Sequence, residues 1–457
     1  MPESQDFTRR DVVKMAGAAT AVAAVAKLQS GPAIQKVKAA NDQIQYGIIG
    51  TGSRGSYLLK HLKGIDNGRC VAVCDVNETA LDNGAETIGN NPKKFKDYRE
   101  LLGDKDVEAV LIATPLFLHF PVTRDSLLAG KHVFCEKSLV FLAEEVHALR
   151  ALAAQHPKQV IQVGLQRRYS KLYQAARQMV EKGLLGEVTH VQAQWHRNPG
   201  WRMKGDPKTN RMANWRLFRE YSGGLVAELA SHQIDVADWM LGMHPESVIG
   251  EGGLDFMKDG RDVFDNVQLI FKYPKGRRLM YSSIATNQHL PLFNAQRTEM
   301  GEIIMGTQGT IHITVGDDRN PAIGMWFTEP QQPAVDTKKK DEKFVAGATM
   351  VSAKPGQSLP IFLDKDQMTG NESFLEKELK FARRWLYSKG ILAPIEDVNP
   401  VDTELAAFFD DCRTGKKPLA DLEVGLADSV AVILSNLAMD EQRRVYFNEI
   451  DKMGKKA

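Results

Sequence analysis

The sequence predicts an α/β protein in two parts. A doubly wound parallel sheet comes first, and an α+β unit with an open, largely antiparallel sheet follows. Three observations predict it. An Ile-rich run over residues 43–50 enters Gly50-Thr51-Gly52-Ser53-Arg54-Gly55, then the helical pattern Tyr57, Leu58, Leu59, Leu62. Continuous apolar runs alternate with helical patterns up to Val163, as in a parallel sheet covered on both faces. From about residue 167 the runs alternate apolar with polar, Glu187–Trp195 first, as half-buried strands do.

Strand, glycine turn and helix stand in the order a dinucleotide site needs. Gly50 permits the tight turn, Gly52 lets backbone approach a pyrophosphate, and Gly55 lets helix and strand pack closely. The helix N-terminus offers unpaired N–H groups to phosphate. Three glycines alone are a weak signal. The next apolar run, Cys70–Cys74, ends in Asp75. A carboxylate there hydrogen-bonds adenosine ribose hydroxyls and repels a 2′-phosphate, which favours NAD over NADP. Residues 109–114 form a third strand. Leu116–Leu128 and Leu142–Leu152 read as helices, with His132–Cys135 and Gln159–Val163 as strands. Thr114, Pro115 and His119 follow the third strand and are placed along the cofactor cleft; capping its own helix is the alternative for His119. Gln166-Arg167-Arg168-Tyr169 stands at the domain junction, either contacting nicotinamide or substrate or serving as a charged link.

The chain has 457 residues, 59 Lys+Arg, 57 Asp+Glu and a net charge of +2. An aromatic fraction of 8% and a charged fraction of 25% exclude collagen-like and wholly disordered classes. The near-neutral balance gives no general attraction to nucleic acid. No apolar run reads as a bilayer span. The basic excess sits in residues 1–40, which hold Arg9, Arg10, Lys14, Lys27, Lys36 and Lys38 against Glu3, Asp6 and Asp11, leaving −1 for the remainder. Arg9-Arg10, the weakly apolar run Met15–Ala26 and the small residues Ala24-Val25-Ala26 follow the layout of a secretory signal. The paired arginines resemble a twin-arginine (Tat) signal, with Val12 where that pattern usually has Phe. This predicts export through the Tat machinery to the periplasm or beyond, as a folded protein able to carry a cofactor, with no stable membrane insertion after processing.

In the second part, Asn266–Tyr273, Arg278–Ala285 and Glu302–Met305 read as further strands. His196-Arg197-Asn198, Trp201-Arg202 and Asn214-Trp215-Arg216 are dense in aromatic and multi-donor side chains. Sugars bind through such donors and through ring faces stacked on aromatics; packing against a neighbouring subunit is the alternative. Gln331–Pro360 lacks periodicity and reads as an exposed insertion. Met368–Leu386, Val401–Asp411 and Val424–Met439 read as helices, the last apolar nearly all round and suited to packing back on the first domain. The organisation is therefore 1–40 signal and linker, 41–165 nucleotide domain, 166–390 substrate domain, and 391–457 returning helices. The 4 Cys show no zinc-type spacing with His.

The chain resembles the Gfo/Idh/MocA family of sugar oxidoreductases. The resemblance rests on residues 47–55, Ala113-Thr114-Pro115 with His119, and Gly130–Ser138 with its Glu136-Lys137-Ser138. It continues through Gly223–Asp235, Gly306–Thr310, Arg413–Pro418 and Glu423-Val424-Gly425. Ser138 stands where the family motif has Pro, and Glu228 stands where the family has Asp four residues before His232. The resemblance implies that a sheet face covers the nicotinamide and that Lys137 acts at the substrate hydroxyl. A homo-oligomer is expected.

Oxidising a secondary alcohol requires removal of the hydroxyl proton as well. Lys137, just past a strand's C-terminal end, is placed where cofactor and substrate meet, with Glu136 to fix it. His232 is the candidate general base or relay. Glu228 and His232, four apart, share a face if helical, and Asp235 or Glu228 orients the imidazole. Arg168, His196, Trp215, Arg216 and Asp235 are the candidate substrate contacts; no metal is implied. Exported NAD needs regeneration in place, which favours a closed redox cycle. One form pairs oxidation of one sugar with reduction of another. The other is a redox-neutral glycosidase that oxidises, eliminates, hydrates and reduces. A non-catalytic sugar- or nucleotide-binding protein is the reading from another class.

Overall fold

The computed structural model describes residues 43–197, 201–287, 300–314, 323–329, 358–360 and 398–453. The expected export signal and the helix expected over Met368–Leu386 lie outside the described residues. Gln43–Ala457 forms one compact unit.

The first sheet is built from β1 (Ile44–Ile49), β2 (Gly68–Cys74), β3 (Lys93–Phe95), β4 (Ala109–Ile112), β5 (His132–Cys135) and β6 (Ile161–Val163). Its order is β3-β2-β1-β4-β5-β6, with every pairing parallel. Every residue of β4 is buried, as a strand covered on both faces requires. Helix α1 (Ser53–Leu62) follows β1, with Gly52 at its N-cap. Helix α2 (Glu78–Ile88) is capped by the Asn77 side chain, which accepts from the Ala80 N–H. The order reverses between β1 and β4, and their C-terminal ends open the crevice where such sheets bind ligands.

The second sheet contains β7 (Val188–Trp195), β8 (Ser247–Gly253), β9 (Asn266–Lys272), β10 (Arg278–Ile284), β11 (Met300–Gly306), β12 (Gly309–Thr314), β13 (Ile323–Thr328), β14 (Ser358–Pro360) and β15 (Val445–Tyr446). Among the described residues the order is β14-β13-β12-β11-β7-β10-β9-β8-β15. Only β7 and β10 pair in parallel there. The exposed insertion expected up to Pro360 is corrected at its end, because Ser358–Pro360 pairs with β13 as an edge strand.

Two late helices fasten the parts together. Helix α3 (Pro400–Thr414) lays Phe408 and Phe409 into the nucleotide domain. Phe409 stacks on Tyr46 at 4.9 Å between ring centroids, and Phe408 meets Phe134 at 5.8 Å. Gly68 leaves room for Phe409, since a Cβ there would lie 2.4 Å from its ring. Helix α4 (Leu422–Asp440) packs on both parts, with Gly425 against Val163 and Asn436 donating to the Gly223 carbonyl. Its 19 residues are long and apolar enough to cross a membrane, which amends the sequence expectation, and its apolar window is 61% buried in the fold.

Candidate functional site: a cleft from the glycine turn to a tryptophan-lined mouth

A cleft of about 980 Å³ runs from Gly50, Gly52 and Asp75 at one end, past Thr114, Pro115 and His119, to Lys137, Glu228 and His232. Beyond them lie Trp195, Trp201, Trp215 and Arg216. The glycine turn is shaped as the sequence requires. Gly50 has φ of +90°, and a Cβ on Gly55 would lie 1.9 Å from the Gly50 carbonyl oxygen. Nothing lies within 4 Å of where a Cβ on Gly52 would sit, so backbone is open to an approaching diphosphate.

Asp75 is preset. Its Oδ2 accepts from the Thr51 N–H at 2.8 Å, and its Oδ1 accepts from the Asn77 N–H at 2.8 Å. Each carboxylate oxygen keeps lone-pair capacity for a ribose hydroxyl. Val76 stands beside it 88% exposed and lines the cleft, an apolar surface suited to a base. Further along, Thr114 Oγ1 and Gln166 Oε1 are buried without a protein partner, and both residues line the cleft. These open backbone and unused polar atoms fit a dinucleotide cofactor.

His119 ties two loops together. Its Nδ1 lies 2.7 Å from the Ser138 carbonyl oxygen and its Nε2 3.0 Å from that of Thr114. Burial pulls its pKa below the ordinary histidine value, against the two carbonyls.

Lys137 dominates the next part of the cleft. Its Nζ donates to the carbonyl oxygens of Glu228 at 2.6 Å and Ala227 at 3.0 Å. Those carbonyls belong to a π-helical turn, Val226–Ala230, that leads into the helix Ser231–Leu241 of the second part; such turns recur at functional sites. Glu228 and His232 therefore share the cleft, although Glu228 lies in π rather than α geometry. Burial pulls the Lys137 ammonium below its ordinary range, with Glu228 and Glu136 opposing. Burial also drives His232 well below the ordinary histidine value, assisted by the positive charges of Lys137, Arg167 and Arg54. His232 is therefore held toward its neutral form, and the Lys137 ammonium gives up its proton more readily than an exposed lysine. His232 Nδ1 is buried without a protein partner, and its ring lies 5.8 Å from that of Trp195. The Glu228 carboxylate accepts from Arg216 Nε at 2.9 Å and from Ser222 Oγ at 3.3 Å.

Several expected roles are corrected. Glu136 does not fix Lys137; its carboxylate accepts from Arg54 Nε at 2.6 Å, and backbone carbonyls hold the lysine. Asp235 does not orient His232. It takes Arg168 in a two-pronged ion pair, Nη2 to Oδ1 at 2.6 Å and Nε to Oδ2 at 3.1 Å. That pair satisfies both charges, and neither residue is among those lining the cleft. His196 is buried outside the cleft lining as well. Asn214 holds its own loop by donating to the Lys204 and Asn210 carbonyls. Trp195 and Tyr57 join the lining without having been singled out; the end position of Trp195 on a predicted strand was the available signal.

This fold and cleft define a two-domain, NAD-binding oxidoreductase. The oxidoreductase-family NAD-binding Rossmann model matches residues 44–165, and the GFO/IDH/MocA C-terminal domain model matches residues 173–312. The chain belongs to the Gfo/Idh/MocA family. An uncharacterised oxidoreductase of Synechocystis sp. is 34% identical over 152 residues, 32% of this chain and 38% of that protein. Inositol 2-dehydrogenase of Rubrobacter xylanophilus is 29% identical over 274 residues, 60% of this chain and 72% of that protein. Glycosyl hydrolase family 109 protein 2 of Shewanella sp. is 30% identical over 243 residues, 48% and 52% of the two chains. The aligned stretch thus spans under two thirds of the Synechocystis and Shewanella relatives. Among solved structures, aldose–aldose oxidoreductase of Caulobacter crescentus superposes with TM-score 0.63 at 18% identity, covering 88% of this chain and 99% of that one. Levoglucosan dehydrogenase in complex with NADH gives TM-score 0.65 at 16% identity, covering 89% and 99%. At these identities the structural likeness speaks for the fold.

Proposed function

We propose that this protein is an NAD-dependent oxidoreductase acting on a secondary hydroxyl of a sugar or glycoside. The observation that carries the reading is Lys137, whose Nζ shares the cleft with His232, beyond the glycine turn and Asp75. Bound NAD would supply the two-electron acceptor. Lys137 orients the reacting hydroxyl through an N–H donor and lowers the cost of negative charge on its oxygen. His232, held neutral by burial, takes the hydroxyl proton. Asp75 selects the cofactor without a 2′-phosphate.

The paired arginines at 9–10 support export with the cofactor already bound, which favours a closed redox cycle over exchange with free NAD. A redox-neutral glycosidase is favoured by one further observation. Glu228 presents a second carboxylate at the reactive end, anchored by Arg216 and Ser222, as removal of a C–H proton beside an oxidised carbon would need. The test is mass spectrometry of natively purified protein, followed by absorbance at 340 nm on addition of pyranosides, inositols and glycosides. Retained NAD that is reduced by a sugar supports the reading. Protein that holds no NAD, or that with none of these compounds shows either NAD reduction, in a single turnover or at steady state, or release of an aglycone, overturns it.

A further inference from the structure

The outer end of the cleft is built at a conformational cost. Trp201 has φ of +48°, a left-handed backbone that bulky side chains rarely adopt. A buried clamp holds it there. Arg261 Nη2 donates to the Trp201 carbonyl oxygen at 2.9 Å, and Asp259 grips the same guanidinium at 2.8 Å and 2.7 Å. Across the strap, Asn214 Oδ1 accepts from the Lys204 N–H at 2.9 Å, while its amide donates to the Lys204 carbonyl at 2.9 Å. That pair of bonds ties the arm bearing Trp201 to the turn bearing Trp215. The result is a stack, with the Arg216 guanidinium 4.3 Å from the Trp215 ring centre and 5.8 Å from that of Trp201. Arg216 also holds Glu228, whose carbonyl holds Lys137. The stack therefore begins one side chain out from the reactive groups.

Three of the protein's 6 Trp, at 195, 201 and 215, line this cleft. Trp195 stands beside His232, with ring centres 5.8 Å apart. Trp201 and Trp215 flank Arg216, the partner of the Glu228 carboxylate, and Met212, which lines the same cleft, is 51% exposed. Indole edges, a thioether and a planar guanidinium suit the apolar face and hydroxyl edge of a ring.

We propose that Trp201, Trp215 and Arg216 form a second-ring subsite, so that the substrate is a glycoside carrying a ring beyond the oxidised sugar, rather than a free monosaccharide or monocyclic polyol. This rests on the sugar-oxidoreductase reading above and narrows it.

Calorimetry of the NAD-loaded protein tests it with methyl pyranosides against the matching phenyl pyranosides and disaccharides, in gluco, galacto and manno series. In at least one series the two-ring ligand is expected to bind roughly tenfold tighter than its methyl partner. Trp201→Ala and Trp215→Ala are each expected to bring the ratio of two-ring to methyl-pyranoside affinity toward one with bound NAD retained; Trp215→Phe keeps most of that ratio. Equal binding of one-ring and two-ring ligands in every series, including no binding of either, overturns the subsite. So does an equal loss of both in the alanine variants. The wild-type comparison stands even if a variant fails to fold. Absorbance at 340 nm, read separately, divides the two claims. A two-ring preference without NAD reduction removes the redox reading alone, and reduction without that preference removes the subsite alone.

Discussion

The side-chain nitrogen of Lys137 lies 2.6 Å from the backbone carbonyl oxygen of Glu228. The lysine is thus aimed by main chain from the second domain, 91 positions on in sequence, and the Glu228 carboxylate remains available to Arg216. The Lys137 nitrogen and the π-helical turn are fixed to each other by backbone, which side-chain substitution at Glu228 does not remove. Lys137→Ala is expected to lower turnover by about 10²–10⁴-fold with bound NAD retained. Glu228→Gln leaves the lysine's anchor in place and is expected to cost less in the oxidation half-reaction. Single-turnover absorbance at 340 nm separates the two, and equal losses in both variants would contradict this division.

His232 sets a pH limit. Burial and three nearby cations hold its pKa well below the ordinary histidine value, so the imidazole is neutral through the physiological range. The acid limb of kcat/KM is expected below about pH 6.5, because activity is lost only when the buried ring protonates. His232→Gln is expected to remove that limb and lower the plateau. A limb centred at or above pH 7 in the wild type would assign the titration to another group.

Cofactor choice is placed on Asp75. Its carboxylate is oriented by the Thr51 and Asn77 N–H groups, and losing a hydrogen bond to a charged group costs about 1.5–3 kcal/mol. Asp75→Ala is expected to weaken NAD retention by tenfold or more and to narrow the preference against NADP, read by equilibrium dialysis with each cofactor. Gly55→Ala is expected to abolish retention of either, since its Cβ would meet the Gly50 carbonyl oxygen at 1.9 Å. A Gly55→Ala protein that purifies with full NAD would show that the turn adjusts.

The glycine turn and the strand ends that carry Asp75 and Lys137 into the cleft were legible in the sequence because each depends on neighbours within a few residues, while Lys137 itself stood out through the family resemblance. The sheet of the first part was legible for the same reason, its strands being continuous apolar runs. What failed was pairing at long range. Arg168 and Asp235 both looked like substrate contacts, being polar residues beside the site. They lie 67 positions apart and neutralise each other, which no local pattern reveals. Glu136 was given to its neighbour Lys137 and belongs to Arg54, 82 positions away. Trp201 and Trp215 were visible as an aromatic cluster, but the Arg261–Asp259 clamp that sets Trp201 was not.

Glu404 supplies a test of the packing between helix α3 and the nucleotide domain. Its side chain is fully buried, both carboxyl oxygens lack a protein partner, and the nearby charges include Glu136 and Asp235 as well as Arg54. Burial first, then the Glu136 charge, raises its pKa well above the ordinary carboxylate range, and Arg54 opposes. In the unfolded chain the same group ionises near its usual value of about 4.3. Between those two values the unfolded state binds fewer protons than the folded one, so the stability contribution is fully present below about pH 4.3 and is lost as pH rises toward the folded pKa. Glutamine keeps the shape and cannot ionise. Glu404→Gln is therefore expected to be more stable than wild type at pH 8 by at least about 1 kcal/mol, with the advantage shrinking toward pH 5. Urea denaturation of both proteins at the two pH values measures it. An advantage that does not change with pH, or a variant less stable at pH 8, would mean that Glu404 is ionised and paired in the folded protein.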